Sequence, residues 1–560
     1  MRNTNHVSRA TARLCAWIAA SFIQGRRRTS FAVGFVFGLA ALCAAMSWEM
    51  PGAQAAGRLA IVTESGPLKG IVTGPIDEYL GIPYAAPPVG ALRWMPPQPF
   101  GRWNGVFNAT QFGNDCTQPA DGDEDCLFLN IYTPRLKKNA DKHDGLAVMV
   151  WIHGGGLVNG AGRDFDPTPL IEGGGVIVVT FNYRLGLLGF LAHPALDDEG
   201  HLAGNYGLMD QQFALAWVQR NIAAFGGDPE RVTVFGESAG GLSVYSQLAS
   251  PLVAGLFQQA IAQSGAYAGF DDYLDRMRPI AAAETISTPG VASGVAVANA
   301  VNCTSQTAAC LRAVPPAMFI GLSRAIFPFI DGTLLPQAPG TAFASGSFNQ
   351  VPVMTGTNHD EYRYFVAQNY DLNKGVGPLM NPDYTSAIDT VFWSLTAANL
   401  AAVLADYPPP GSSSPADAAS LELGAAGTDG TFACTARRAM QALAQYVTVH
   451  AYEFNDENAP SPAFPPLSFP LGAFHSADVQ YLFNRNGNPA PFTFAQQQLS
   501  QAMISYWTQF AKTGDPNSPG QPAWAPYDPA TDQRQSFLPP TPVVESGFAA
   551  DHDCDLWDSF

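Results

Sequence analysis

Charge is scarce in this chain. Only 14% of its 560 residues are charged, and acidic groups outnumber basic ones 47 to 29, for a net charge of −18. No basic stripe occurs beyond the extreme N-terminus, so the electrostatic footprint that nucleic-acid binding needs is missing. The apolar stretch from Phe31 to about Ala45 falls short of the roughly 20 residues a membrane-spanning helix requires. Cysteine and histidine nowhere share metal-ligand spacing, so no zinc site is expected. No internal repeat is evident. What the chain does have is 47% hydrophobic residues, enough for a large buried core.

The N-terminus differs in kind from the rest. Arg26, Arg27 and Arg28 precede the apolar stretch, which is followed by Ala53-Gln54-Ala55. Positive region, short apolar region and small-residue site predict an export signal over residues 1–55, cleaved after Ala55, ahead of one domain over 56–560. Consecutive arginines also permit twin-arginine export. The expected location is secreted or periplasmic, with no stable membrane span after cleavage. Losing six arginines and one glutamate takes the net charge from −18 to −23, a solubility feature of an exported protein. Six cysteines remain: Cys116, Cys126, Cys303, Cys310, Cys434 and Cys554. An even count outside the reducing cytosol predicts disulfides, and spacing favours two short loops and one long one.

From Gly57 to about Tyr132 the pattern is short strands and turns. Apolar runs bounded by breakers then predict buried strands at Leu146–Ile152, Val176–Phe181, Val232–Phe235, Gln259–Gln263 and Val351–Thr355, and strand character returns at Val449–Phe454. Helical spacing is read over Leu208–Ala223 and Phe494–Thr513. Strands alternating with helices imply an α/β fold whose mostly parallel sheet is covered on both faces. A helical insertion is expected over about 363–446, with the Pro/Ser/Gly-rich Tyr407–Pro415 as a surface loop.

Gly236-Glu237-Ser238-Ala239-Gly240 is a G-x-S-x-G string, weak alone. Its context is not weak, because strand-like Arg231–Phe235 precedes it and helix-compatible Leu242–Leu248 follows. Strand, sharp turn, helix is the geometry that lifts a serine hydroxyl clear of an α/β-hydrolase sheet. The bland alternative is a serine capping a helix in a glycine-rich turn. His153-Gly154-Gly155-Gly156 ends another strand, and its backbone N–H groups suit the oxyanion that forms when a carbonyl is attacked. Gly155, Gly156 and Ala239 are the expected donors. A serine needs a base, and in this fold the order is Ser, acid, His. His359, His450, His475 and His552 follow Ser238. Only His475 lies in a loop suitably placed after a strand. Asp360 and Glu361 both follow the strand at Val351–Thr355, and spacing does not separate them as the orienting acid.

Ordered matches then run through nearly the whole chain: LGIPYAAPPVGALRW, EDCLFLNIY, WIHGGGL, GNYGLMDQ, FGGDPERVTVFGESAGG, QSG, YWTQFAKTGDPN and DCDLW. In these the sequence resembles the type-B carboxylesterase and cholinesterase family. The resemblance implies an α/β-hydrolase that cleaves small-molecule carboxylic esters without a cofactor or metal. It implies Glu361 rather than Asp360 as acid, His475 as base, and Gly155, Gly156 and Ala239 as oxyanion donors. Ser264 would be a hydroxyl near the acid, and Glu237 would sit beside the triad. It further implies disulfides 116–126, 303–310 and 434–554, and a buried Arg93–Glu124 pair. One departure matters. The loop Thr117–Asp125 is short and has no aromatic residue, so the cation–π partner of a choline ester is missing. Within enzymes the alternatives are lipase-like, polyester-cleaving or toxin-cleaving activity. Non-catalytic adhesion proteins of this superfamily typically lose the nucleophile, whereas Ser238, Glu361 and His475 are all present here. Oligomeric state has no sequence signal.

Overall fold

The strand Leu146–Ile152 divides its side chains between two cores. Val148, Val150 and Ile152 enter one, and Ala147, Met149 and Trp151 enter the other. Successive strand residues face opposite ways, so both faces of this strand are covered, as in parallel sheets flanked by helices. The computed structural model that shows this describes residues 60–135, 145–270, 276–323, 325–411 and 413–560. The expected leader and its cleavage site after Ala55 lie outside the described residues.

Eleven strands form the central sheet: β1 (Ile71–Thr73), β2 (Ile76–Pro83), β3 (Phe128–Pro134), β4 (Leu146–Ile152), β5 (Ile177–Phe181), β6 (Gly227–Glu237), β7 (Gln259–Gln263), β8 (Val353–Asn358), β9 (Val449–Phe454), β10 (Arg534–Phe537) and β11 (Val543–Glu545). Their order across the sheet is β11-β10-β9-β8-β7-β6-β4-β5-β3-β2-β1. Pairing is parallel from β10 through to β5 and antiparallel at both margins. This mostly parallel sheet with helices is the expected α/β-hydrolase architecture. Helices α1 (Tyr206–Asn221) and α2 (Ala239–Ala249) supply Leu215, Trp217, Leu242 and Leu248 to one core. Between β8 and β9 come several helices, including α3 (Ala418–Thr428) and α4 (Cys434–Leu443). Helix α5 (Phe494–Thr513) then covers the opposite face with Met503, Trp507 and Phe510. Thr493 caps it through a reciprocal pairing with Gln496, and Gly514 ends it in the left-handed region.

One strand is displaced from its expected place, and the displacement serves the site. β8 runs Val353–Asn358 rather than Val351–Thr355. Pro352 has no N–H for the ladder. The polar residues beyond Met354 stay in the strand because the fold satisfies them. Thr355 Oγ1 donates to the Ala262 carbonyl at 2.9 Å and Thr357 Oγ1 to Glu361 Oε1 at 2.8 Å. An apolar-run criterion misses such residues.

Three disulfides join Cys116–Cys126, Cys303–Cys310 and Cys434–Cys554, and Arg93 meets Glu124 through two 2.5 Å hydrogen bonds. The long bridge ties the start of α4 to the C-terminal helix, across 120 residues of sequence. Replacing Cys434 and Cys554 together by alanine is expected to cost about 2–5 kcal/mol. Calorimetry reads this as a lower Tm, and an unchanged Tm refutes it.

Candidate active site

Ser238 stands between β6 and α2 with φ 56° and ψ −123°, a strained turn for a residue with a side chain. The turn depends on close backbone approach. A Cβ on Gly236 or Gly240 would come within 2.6 or 2.0 Å of the Ile152 carbonyl oxygen. The Ser238 side chain does not cap α2. Its Oγ donates instead to His475 Nε2 at 2.7 Å. The helix-cap reading therefore fails.

His475 Nδ1 donates to Glu361 Oε2. Glu361 is fully buried, and its other oxygen accepts from Thr357 Oγ1 and from the Asn358 N–H, both at 2.8 Å. The three extra residues of β8 supply those donors. The adjacent carboxylate goes elsewhere. Asp360 pairs with Arg363 at 2.9 Å and His359 at 3.2 Å, and accepts from the Ala473 N–H at 2.8 Å. Adjacent residues after a strand end point to different sides, and here only one meets the imidazole.

No other histidine among the described residues is bonded to Ser238. His450 is buried, and burial lowers its pKa to about 4. His153 lies near-parallel to the Tyr183 ring and is likewise pushed down to about 4 by burial. His552 is held between Asp429 and Glu453 at 2.5 and 2.7 Å. His359, Asp551 and His552 do place ligand atoms within 4.8 Å of one another. Because both ring nitrogens of His552 already meet carboxylates, the group is an ion-pair cluster rather than a metal centre.

Gly155 and Gly156 follow β4 with φ of 104° and 63°, and Ala239 is the first residue of α2. A Cβ on Gly155 would lie 2.2 Å from the Asn159 carbonyl oxygen. First-turn helix amides have no intrahelical acceptor, so the Ala239 N–H is available to a ligand. Ser264 follows β7 with φ 50°, and its N–H donates to the Gly356 carbonyl at 2.9 Å. Its hydroxyl has no hydrogen-bond partner among the described residues.

Glu237 Oε1 lies 3.4 Å from His475 Nε2. Burial drives the Glu237 carboxyl upward, against the pull of His475. Burial alone would disfavour the His475 cation, but the carboxylates of Glu237 and Glu361 outweigh it, and the imidazole lies above its ordinary range. Behind the histidine is a residue that sequence reasoning passed over. Asp478 is fully buried, accepts from Gln263 Nε2 at 2.6 Å, and is pushed up to about 6, mainly by burial. Gln263 in turn accepts from Trp507 Nε1 at 3.0 Å. The available signals were Asp478 three residues after His475 and Gln263 just before Ser264.

Ser238 and His475 open into a cavity of about 790 Å³, within the range of small-molecule sites. Gly155 and Gly156 line it. Phe365, Phe432 and Tyr364 surround the imidazole with ring centroids 5.0, 5.1 and 5.8 Å away. Such rings lower the polarity around the imidazole.

The model of the carboxylesterase family matches residues 58–557. The chain is 33% identical to rat pyrethroid hydrolase Ces2e over 500 residues, 83% of this chain and 82% of that protein. It is 33% identical to the para-nitrobenzyl esterase of Bacillus subtilis over 520 residues, 86% of this chain and 98% of the other. A fumonisin B1 esterase from Sphingopyxis macrogoltabida is 39% identical over 364 residues, 62% of this chain and 63% of that one.

Proposed function

The chain belongs to the carboxylesterase family and is a carboxylic ester hydrolase, and from that premise we propose an exported serine esterase in which Ser238, His475 and Glu361 act as a triad. The observation that carries this reading is the unbroken hydrogen-bonded line from Ser238 Oγ through His475 to Glu361.

Ser238 Oγ attacks the ester carbonyl carbon while His475 Nε2 takes its proton. The oxyanion settles against the N–H groups of Gly155, Gly156 and Ala239, each worth about 10²–10³ in rate. His475 returns the proton to the departing alkoxide, and alcohol leaves. Water then adds to the acyl-serine, gives its proton to His475, and the acid departs as Ser238 is reprotonated. Glu361 holds the imidazole in the tautomer that can accept from serine. Export is supported by the three disulfides, and no helix among the described residues is long and apolar enough to cross a membrane.

The direct test is covalent. A dialkyl para-nitrophenyl phosphate should inactivate hydrolysis with one equivalent bound, and peptide mapping should place the adduct on Ser238. Full inactivation with the adduct on another residue sinks the assignment.

The base works only as neutral imidazole, so kcat/KM should rise with pH along a limb lying above the ordinary imidazole value. Glu237 contributes the largest of the charges that raise His475. Glu237→Gln is therefore expected to move that limb to lower pH, measured as the pH profile of kcat/KM. A limb that stays in place would show that Glu237 carries no charge while His475 titrates.

A further inference from the structure

Two guanidinium groups line the cavity that holds Ser238, in a chain where basic groups are scarce. The chain carries −18 overall, yet Arg276 and Arg485 line the same cavity as Ser238 and His475. The carboxyls that line it are Asp164 and Glu237. Glu237 faces His475, and Asp164 Oδ2 accepts from the Ala161 N–H at 3.1 Å. Burial raises both carboxyls, and the charge of Arg485 acts on each in the opposite direction. Among the described residues, neither arginine has a carboxylate within ion-pair distance.

Both arginines are fixed in place. Arg485 is paired in a short antiparallel ladder with Phe165, and its guanidinium carbon sits 4.7 Å from the centre of the Phe165 ring. Stacking occupies a face of the guanidinium and leaves its in-plane N–H groups for other partners. Its Nε is buried without a hydrogen-bond partner. Arg276 Nη1 donates to the Tyr267 carbonyl at 2.6 Å, which anchors one edge and leaves the others. The wall also carries aromatic rings, among them Tyr364, Phe365, Trp393 and Phe432. A guanidinium beside aromatic rings keeps its full charge, and the buried Nε–H of Arg485 is a donor left without an acceptor. The ligand whose geometry matches its planar fork is a carboxylate.

We propose that Arg485, assisted by Arg276, selects esters that carry a free carboxylate on their acyl or alcohol portion. The proposal rests on the serine-esterase reading of the same site and names its substrate class. Arg485 and Arg276 are positioning residues here, since they hold the substrate's anion rather than the reacting atoms.

The test compares matched esters on the full chain. For the acyl side the pair is para-nitrophenyl hexanoate and the mono-para-nitrophenyl ester of adipic acid. For the alcohol side it is phenyl butanoate and para-carboxymethylphenyl butanoate. In at least one pair the carboxylate-bearing ester should have the higher kcat/KM, by about tenfold, as one charge-assisted hydrogen bond provides. The pair that discriminates identifies which portion carries the anion. Arg485→Gln should bring that ratio close to one, Arg276→Gln should lower it less, and Arg485→Lys should retain part of it. A ratio near one in the unaltered protein overturns the proposal. So does an Arg485→Gln variant whose two rates fall together, since that marks a purely structural role. Titration calorimetry on Ser238→Ala separates this claim from the hydrolytic one. The adipate monoester should bind more tightly than the hexanoate, and Arg485→Gln should remove the difference. Equal binding overturns the proposal even where hydrolysis is proven, while preferential binding without turnover in the unaltered protein would indict the serine-esterase reading instead.

Discussion

Ser238→Ala is expected to lower kcat for an activated ester such as para-nitrophenyl butanoate by about 10⁵–10⁶-fold. The loss is that large because the hydroxyl is the point on which every other group acts. His475 has its proton to take, and the oxyanion donors are aimed at the carbonyl it attacks. Removing one member of such a unit removes nearly the whole of its contribution, and what survives, about 10³ over water, comes from the donors and binding alone. The fold should survive the change. Alanine meets the same φ of 56° as serine, and the hydroxyl makes no helix cap, so the only side-chain hydrogen bond lost among the described residues is that to His475. Circular dichroism and Tm should therefore match the unaltered protein while turnover vanishes. Turnover that persists within a few-fold would mean that another residue attacks the ester.

The sequence made the two motifs at the ends of β4 and β6 legible because glycine there answers a steric demand visible in one dimension. Gly236 and Gly240 must let Ile152 approach, and Gly155 must accept a left-handed turn. The strand Leu146–Ile152 was equally plain, since parallel strands buried on both faces read as near-continuous apolar runs. Legibility stopped where burial is paid for by hydrogen bonds instead of hydrophobicity. Thr357 and Asn358 read as residues beyond the strand end, yet each is fully buried within β8. Asp478 reads as a loop charge, yet it is fully buried against Gln263. Arg485 reads as a loop charge after Tyr481-Leu482-Phe483, and its place beside Phe165 depends on a pairing between segments about 320 residues apart in the chain. The choice between Asp360 and Glu361 belongs to the same class. Adjacent carboxylates are indistinguishable until the direction of the turn after β8 is known.

That turn supports the second large effect. Glu361→Gln is expected to lower kcat by about 10⁴-fold with little change in fold, whereas Asp360→Asn should leave kcat within a few-fold. The argument is one of donors. Glu361 Oε1 already accepts from Thr357 Oγ1 and the Asn358 N–H. A glutamine there must keep its carbonyl oxygen toward those two donors, which turns its NH₂ toward His475 Nδ1. Nδ1 then becomes an acceptor, the proton moves to Nε2, and the imidazole can no longer take the proton of Ser238. Asp360 touches neither Ser238 nor His475. It joins Arg363, His359 and the Ala473 N–H, so its replacement should appear as a loss of about 1–3 kcal/mol in stability. Steady-state kinetics and denaturant unfolding on both variants read the two outcomes separately. A glutamine variant that keeps its kcat, or an asparagine variant that loses it, would exchange the roles of these neighbouring carboxylates and break the line from Ser238 to Glu361.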